Sequence, residues 1–271
     1  MTELQTMLLE MFQWFHELCE ENGLRYYAIG GTALGAVRHQ GFIPWDDDID
    51  VGMPRSDYER LEEIMKARAQ DLYILETLNS GGEEYFYPCA KLYDTRTTLI
   101  ENTRLKIKRG IYLDIFPLDG IGNSEIESKQ NYRPIYWKFN LFLTRVVGIR
   151  QGRNKLKNAA VMVARLIPEK ILDNRKLLQS LNEDCKKYNF DDCMWVGNLM
   201  GAWRFKELVP KEFLGEPTLY EFEGRQFYGP EKSDQYLTCI YGNWRQLPPV
   251  EKQVSHHDFI DFDLHKSYLE E

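Results

Sequence analysis

The sequence has few cysteines and no pattern that would pair them. Its 271 residues include five cysteines, an odd number, and no two of them form a CxxC pair. We therefore expect neither a disulfide framework nor a zinc site built from thiolates. The chain also contains no uninterrupted apolar run of about 18 residues, so we expect no membrane-spanning helix.

The sequence also has fewer basic residues than acidic ones. The 34 basic residues are outnumbered by 42 acidic ones, and the net charge is -8. This balance lacks the positive field that binding of nucleic acid requires, so we expect no nucleic-acid partner. A phosphate-bearing substrate stays compatible with the acidic balance, because a bound metal ion inverts the local charge.

The N-terminal segment lacks the features of a signal peptide. Residues 1–15 carry early acids and have neither a basic stretch nor a small-residue cleavage site. Together with the unpaired cysteines, this predicts a cytoplasmic location. Internal repeats, low-complexity segments and a Gly/Ser linker are absent as well, so the sequence marks no clean domain boundary.

Periodicity predicts an α+β fold whose mixed-sheet core covers residues 1–121. Helices are predicted at 4–19, at 32–39 and after a capping box at Ser56–Glu59. Strands are predicted at 25–29, 48–53, 72–78, 85–93 and 111–116. Residues 122–271 indicate a mainly helical portion with a hairpin at 219–228, which would cover the substrates as a second domain or as part of one continuous domain.

An acidic run between apolar neighbours carries the strongest chemical signal. Residues 46–50 read Asp-Asp-Asp-Ile-Asp, and on a strand Asp46, Asp48 and Asp50 would share one face. Crowded carboxylates repel one another unless a cation lies between them, and such oxygen ligands suit Mg²⁺ or Mn²⁺. We therefore predict a metal site here. The alternative is a solvated acidic turn, which the apolar flanks disfavour.

Two neighbouring features favour phosphate chemistry. The segment Gly30-Gly31-Thr32 lies between a predicted strand and a predicted helix, where backbone amides can approach phosphate oxygens. Arg38 and His39 precede the acidic run, and arginine suits an anionic oxygen. The alternative for this pair is an ordinary surface position.

A further acid lies inside an apolar strand. Asp114 is flanked by Leu113 and Ile115, and an acid in such a strand is costly unless it is paired or bound to metal. Asp114 is therefore the candidate third carboxylate. Asp119, next to Gly120, is predicted to cap a turn instead.

These segments together resemble a known family. Residues 30–39 and 41–50 resemble the LicD family of bacterial phosphocholine transferases, whose core the fukutin-like proteins share. Residues 91–100, 110–119 and 241–257 are similar to the family as well. The resemblance thus covers the N-terminal half and the C-terminal end, whereas residues 122–218 carry none of its motifs.

The resemblance implies a nucleotidyltransferase-like fold and a reaction. In that fold Asp48 and Asp50 would be the paired strand acids, Asp114 the third acid and Gly31-Thr32 the phosphate turn. The implied reaction transfers phosphocholine from CDP-choline to a sugar hydroxyl and releases CMP. The acceptor would be a surface glycan of the teichoic acid or lipopolysaccharide type, or its lipid-linked precursor.

The same mapping assigns hypothetical roles to single residues. Mg²⁺ on Asp48 and Asp50 would bind the diphosphate, with Asp46 as a fourth candidate ligand. Asp114 would either complete the metal site or accept the proton of the sugar hydroxyl. The other candidate substrate-binding residues are Lys91 and Arg38 for phosphate oxygens, Trp45, Tyr241 and Trp244 for choline, and one of His256 and His257.

Several alternatives stay open at this point. One is transfer of the nucleotide itself with release of pyrophosphate, another is use of a different CDP-alcohol, and a third is a non-catalytic scaffold on the same fold. The basic residues between Arg145 and Lys157 also raise two possibilities: a basic turn after a core helix, or peripheral contact with the inner face of an anionic membrane.

Overall fold

The computed structural model describes residues 1–68, 72–82, 85–101, 107–146, 159, 161–163, 166–168, 172–254 and 259–270. The helices are α1 (Glu3–Asn22), α2 (Gly30–His39), α3 (Arg55–Ala67), α4 (Glu125–Val146), α5 (Asn174–Cys185), α6 (Lys211–Leu214) and α7 (Ser233–Tyr241), with short 3-10 helices at Arg204–Glu207 and Val250–Lys252. The strands are β1 (Tyr27–Ala28), β2 (Asp50–Pro54), β3 (Tyr73–Glu76), β4 (Ala90–Asp94), β5 (Thr98–Glu101), β6 (Lys108–Arg109), β7 (Tyr112–Gly122), β8 (Trp195–Gly197), β9 (Val209–Pro210), β10 (Thr218–Phe222), β11 (Arg225–Gly229) and β12 (Phe259–Asp263).

The strands form one central sheet and two smaller ones. The central sheet has the order β1-β2-β7-β4-β3, and β8 pairs with both β7 and β9. Its β2–β7 pair is parallel, whereas its other pairs are antiparallel. The strands β10 and β11 form the predicted hairpin, and β12-β5-β6 form the third sheet. Helices packed on a mixed sheet confirm the predicted α+β class.

The first helix follows its local signals closely. Thr2 and Gln5 form a capping box at its start, and Gly23 ends it in the left-handed conformation with φ 58°. The apolar residues at helical spacing, among them Phe12 and Phe15, are fully buried. Burial of this stripe, rather than helix propensity, holds α1 beside the central sheet.

The acidic run differs from its prediction. The strand β2 begins at Asp50, so Asp46 and Asp48 lie before the strand and not on it. The physical reason is a turn, in which the Asp46 N–H donates to the Ile43 carbonyl at 2.8 Å. The chain leaves this turn through Asp47 and joins the ladder only where Asp50 meets Asp114 of β7.

Three other boundaries also differ. The helix α2 begins at Gly30, so the two glycines form its first turn instead of preceding it. Pro54 is the N-cap of α3, which places Ser56 inside the first turn, and the predicted capping box is wrong. The strand β4 begins at Ala90, because the segment from Tyr85 does not join the ladder.

The long strand β7 contributes to two clusters of buried side chains, at different points along its length. The larger one includes Leu113 and Ile115 of β7 with α1 and α7, and the smaller one includes Ile121 with α4 and α5. Asp119 lies between these positions, inside the strand. Its carboxylate is buried and pairs with Arg55 at 2.6 Å, so the predicted turn cap is wrong. The domain division after residue 121 stays a prediction.

The predicted basic cluster separates in the structure. Arg145 is buried and donates to the carbonyls of Ile167 at 3.1 Å and Leu172 at 2.8 Å, so it faces the interior. The remaining basic residues of the cluster lie outside the described residues: Arg150, Arg153, Lys155 and Lys157. Among the helices in the described ranges, none is long and apolar enough to cross a membrane.

Candidate active site

Strand register brings two of the predicted acids together. Parallel pairing of β2 with β7 places Asp50 opposite Asp114, and antiparallel pairing of β4 with β7 places Lys91 opposite the same Asp114. Residues paired in this way point to one face of a sheet. The three side chains therefore form a row across three neighbouring strands.

The basic member of the row is directed at an acid. Lys91 is 3% exposed, and its Nζ donates to Asp114 Oδ1 at 2.7 Å. Burial lowers the pKa of Lys91, but the carboxylates of Asp114 and Glu101 raise it more, so the pKa lies above its usual value. In the structure Lys91 pairs with the third acid, and its predicted contact with a phosphate oxygen stays a prediction.

Asp50 lies among like charges. Its pKa is well above the usual range, first because the carboxyl is buried and then because Asp48, Asp114 and Asp46 add negative charge around it. A bound cation would relieve both penalties. Within the described part of the chain, no three acidic, thiol or imidazole groups are arranged to hold a metal ion unaided.

The first turn of α2 approaches the acids through its two glycines. A Cβ on Gly31 would lie only 2.7 Å from Asp46 Oδ2, and a Cβ on Gly30 would lie 3.5 Å from Asp50 Oδ2. Gly30 also has φ +54°, a conformation that favours glycine. The Thr32 hydroxyl accepts the Asp50 N–H at 2.8 Å and so ties the helix to β2. The positive end of a helix thus faces the carboxylates.

The loop that carries the acids is held from two sides. Gln5 of α1 donates its side-chain amide to the Asp46 carbonyl at 2.9 Å. Glu223, in the β10–β11 turn, accepts the Phe42 N–H at 3.0 Å and leaves no room for a side chain at Gly41. Sequence reasoning missed both contacts, because they join segments that are far apart in the chain.

The end of α2 and two tryptophans form a flank beside the acids. This flank consists of Arg38, His39, Trp45 and Trp244. Arg38 donates from Nε to the His39 ring at 3.0 Å and from Nη1 to the Trp244 carbonyl at 2.8 Å. Burial and then Arg38 lower the pKa of His39, so the ring is a neutral acceptor. His39 packs edge-on against Trp45, and Trp244 lies under the Arg245 guanidinium at 4.2 Å.

The helix α7 supplies two tyrosines to the first turn of α2. The Tyr236 hydroxyl accepts the Gly30 N–H at 3.3 Å, and the Tyr241 hydroxyl would lie 3.9 Å from a Cβ on Gly30. Burial is the main cause that raises the pKa of both, so both keep their protons as donors. The ring of Trp203 packs edge-to-face on Tyr241 at 5.0 Å. Tyr236 and Trp203 were not predicted, because neither lies in a motif with a chemical signature.

The predicted residues therefore separate into three groups. The acids, the glycine turn, Lys91 and Tyr241 converge where the pairing of β2 with β7 begins. Arg38, His39, Trp45 and Trp244 form the adjoining flank. His256 and His257 lie outside the described residues.

Comparisons with known proteins agree with this geometry. Residues 23–140 match the family described as LicD/FKTN/FKRP, nucleotidyltransferase domain. Lipopolysaccharide cholinephosphotransferase LicD of Haemophilus influenzae is 34% identical over 258 residues, which cover 94% of this chain and 95% of that protein. Ribitol 5-phosphate transferase FKRP of Homo sapiens is 39% identical over 62 residues, 23% of this chain and 12% of that protein. This chain belongs to the LicD family.

Proposed function

We propose that this protein transfers phosphocholine from CDP-choline to a sugar hydroxyl and releases CMP. The observation that carries the proposal is the likeness, over nearly the whole chain, to a protein named lipopolysaccharide cholinephosphotransferase. That likeness favours a glycan of the lipopolysaccharide type, or its lipid-linked precursor, as the acceptor. A teichoic acid type of glycan is the second candidate.

The donor set fits a hard divalent cation. Mg²⁺ or Mn²⁺ would be held by Asp48 and Asp50, with Asp46 and Asp114 as further oxygen donors. When bound, the ion would neutralise charge on the diphosphate and on the leaving CMP. Mg²⁺ commonly takes one or two carboxylates and completes its shell with water and substrate phosphates, which suits the few convergent ligands of this site.

Residues around the acids would bind the phosphates. The first turn of α2 presents backbone amides of Gly31 and Thr32, and Tyr236 and Tyr241 add hydroxyl donors beside Gly30. Asp114 would act as a ligand or would accept the proton of the attacking hydroxyl. In either role, the Lys91 ammonium at 2.7 Å offsets its negative charge.

The aromatic residues near the acids would recognise the choline. A quaternary ammonium favours aromatic faces, and Tyr241 and Trp45 lie next to the glycine turn and the acidic loop. Trp244 is 7% exposed and already lies under Arg245, so it supports the flank more than it offers a free face. Arg38 and His39 would act in the same flank.

The test is product analysis with a panel of CDP-alcohols, Mg²⁺ and glycan acceptors. Phosphocholine transfer predicts CMP release that needs CDP-choline, and chelation of the metal should abolish it. A parallel reaction contains a nucleoside triphosphate such as CTP in place of the CDP-alcohol, and release of pyrophosphate there would favour nucleotide transfer instead. Preference for another CDP-alcohol would correct the donor. Absence of any turnover and of metal binding by calorimetry would support the non-catalytic scaffold.

We predict that Asp50→Asn lowers turnover at least about 100-fold, because an amide cannot supply the negative charge that holds the metal. Asp48→Asn should behave in the same way. Asp191→Asn is the control, since its carboxylate pairs with Arg25 at the surface. Full metal-dependent turnover of Asp48→Asn and Asp50→Asn would refute the assignment.

A lipid-linked acceptor would bring the protein to the inner face of a membrane, and we propose a cytoplasmic location with peripheral membrane contact on that ground. Co-sedimentation with anionic liposomes at low salt tests the contact, because attraction between basic residues and anionic lipids weakens with salt. Failure to sediment under these conditions would remove this part of the proposal.

A further inference from the structure

We propose that Glu101, Tyr87 and Tyr112 are positioning residues that fix Lys91, and through Lys91 the carboxylate of Asp114. The inference rests on the proposed use of Asp114 near the metal and phosphates. It assigns a role in the reaction to three residues that lie outside the acidic run and outside the glycine turn.

The first observation is the environment of the Lys91 ammonium. Its Nζ lies 3.2 Å from the centre of the Tyr112 ring and 4.4 Å from the centre of the Tyr87 ring. Aromatic faces attract a cation, and the attraction grows when water is excluded, as it is at a residue only 3% exposed. The two rings therefore hold the ammonium in one place beside Asp114.

The second observation is that one carboxylate holds both rings. The Tyr112 hydroxyl donates to Glu101 Oε1, and the Tyr87 hydroxyl donates to Glu101 Oε2. Hydrogen bonds to an ionised acceptor are roughly twice as strong as neutral ones, so this carboxylate limits the motion of both rings. Glu101 also adds negative charge near Lys91, which favours the ammonium form.

The third observation is the place of Glu101 in the fold. It ends β5 in the three-stranded sheet, where it lies opposite Phe259 of the C-terminal strand β12. The contacts thus run from the C-terminal strand through Glu101 and the two rings to Lys91 and Asp114. A second sheet, which includes the C-terminal strand, would set the geometry of an acid in the central sheet.

The experiment compares ring removal at two neighbouring positions. Tyr112→Leu removes the ring that contacts Lys91, whereas Tyr112→Phe removes only its hydroxyl. Tyr93→Leu is the matched control, because Tyr93 is a buried tyrosine opposite Tyr112 on β4. Three quantities are measured for each variant: kcat and KM for CDP-choline, the affinity for Mn²⁺ from the spin-resonance signal of free Mn²⁺, and the melting temperature.

We expect Tyr112→Leu to lower kcat and Mn²⁺ affinity by about 10- to 30-fold while KM changes little. Tyr112→Phe should lower both by only about 3-fold, because the cation–π contact survives and only the hydrogen bond to Glu101 is lost. Tyr93→Leu should lower the melting temperature without this loss. Equal losses in Tyr112→Leu and Tyr93→Leu, or no loss in Tyr112→Leu, would overturn the inference.

A second variant is available if Tyr112→Leu does not fold. Tyr87 is less buried than Tyr112, so Tyr87→Leu then replaces it.

Mn²⁺ binding distinguishes this inference from the proposed function, because it needs neither the CDP-choline donor nor the glycan acceptor. Mn²⁺ binding without CMP release would contradict the proposed function alone, and absence of Mn²⁺ binding by the unaltered chain would contradict the inference as well.

Discussion

At the scale of single residues, Glu207 shows how one buried acid sets a pH dependence of stability. Burial raises its pKa from 4.5 to about 7, although the Trp203 N–H and Arg204 act in the opposite direction. The folded chain therefore keeps this proton between pH 4.5 and about 7, whereas the unfolded chain loses it near 4.5. Because the folded state binds more protons in this window, its stability falls as the pH rises.

We predict that Glu207→Gln removes this loss. A glutamine cannot ionise, and its carbonyl can still accept the Trp203 N–H, which lies 2.6 Å from the present carboxylate. The free energy of unfolding of the variant, relative to the unaltered chain, should increase by roughly 3 kcal/mol between pH 4.5 and pH 8. Urea unfolding at both pH values measures it, with the exposed Glu183→Gln as control. A difference that does not change with pH would contradict the prediction.

Single residues also show which contacts of the site could be predicted from the sequence and which could not. Asp50 and Asp114 were predicted as partners, since an acidic run and an acid in an apolar strand are local signals. The contact between Lys91 and Asp114 depends on the register of β4 against β7, which no local pattern encodes. Glu101 and Tyr236 were missed for the same reason, because each acts only through a partner distant in the sequence.

At the scale of elements, two glycines of α2 lie very close to other parts of the chain, one to a side chain and the other to the backbone. A Cβ on Gly31 would meet the end of the Asp46 side chain at 2.7 Å, whereas a Cβ on Gly35 would meet the Gly41 carbonyl at 2.5 Å. A carboxylate can rotate away from such a clash, but a backbone carbonyl cannot move without moving its loop. Gly31 therefore matters for the geometry of the site, and Gly35 matters for the stability of the fold.

We predict that Gly31→Ala lowers turnover at least about 10-fold while the melting temperature changes little, since it displaces Asp46 from the phosphate turn. Gly35→Ala should instead lower the free energy of unfolding by about 1–3 kcal/mol, as overpacking does. Thermal unfolding and CMP release together measure both variants. Equal effects of the two substitutions on both properties would contradict this assignment.

Elements with local signals were predicted best. The helix α1 and the β10–β11 hairpin follow from apolar spacing, caps and turns. The strands β8 and β9 were missed, because they have three and two residues and form only by pairing near the end of β7. The capping box at Ser56 was wrong because Pro54 already begins the helix.

At the scale of the whole molecule, one buried ion pair joins the two clusters of apolar side chains. Arg55, at the start of α3, contacts both oxygens of Asp119 in β7 at 2.8 and 2.6 Å. Its third contact is Asn182 of α5, at 3.1 Å. Burial raises the pKa of Asp119 and Arg55 lowers it, with a net rise, so the pair is costly to bury but more costly to break.

We predict that Asp119→Ala destabilises the protein by roughly 3–5 kcal/mol, because it leaves the Arg55 guanidinium buried without its counter-charge. The double substitution Arg55→Met with Asp119→Leu should recover most of this loss, since apolar groups replace both charges. Urea unfolding of both proteins measures the difference. A double variant no more stable than Asp119→Ala would contradict the explanation.

The parallel pairing of β2 with β7 has a consequence for the order of folding. The strands β3, β4 and β7 pair in chain order as antiparallel neighbours. In contrast, β2 can join β7 only after the long stretch of chain between these two strands has closed into a loop. Pairings between distant segments form slowly, because the entropy of loop closure is lost before any contact is gained. Here the slow pairing is also the one that brings Asp50 against Asp114. The step that completes the sheet is therefore opposed by charge repulsion, and the divalent ion that we propose for this site would also favour completion of the fold.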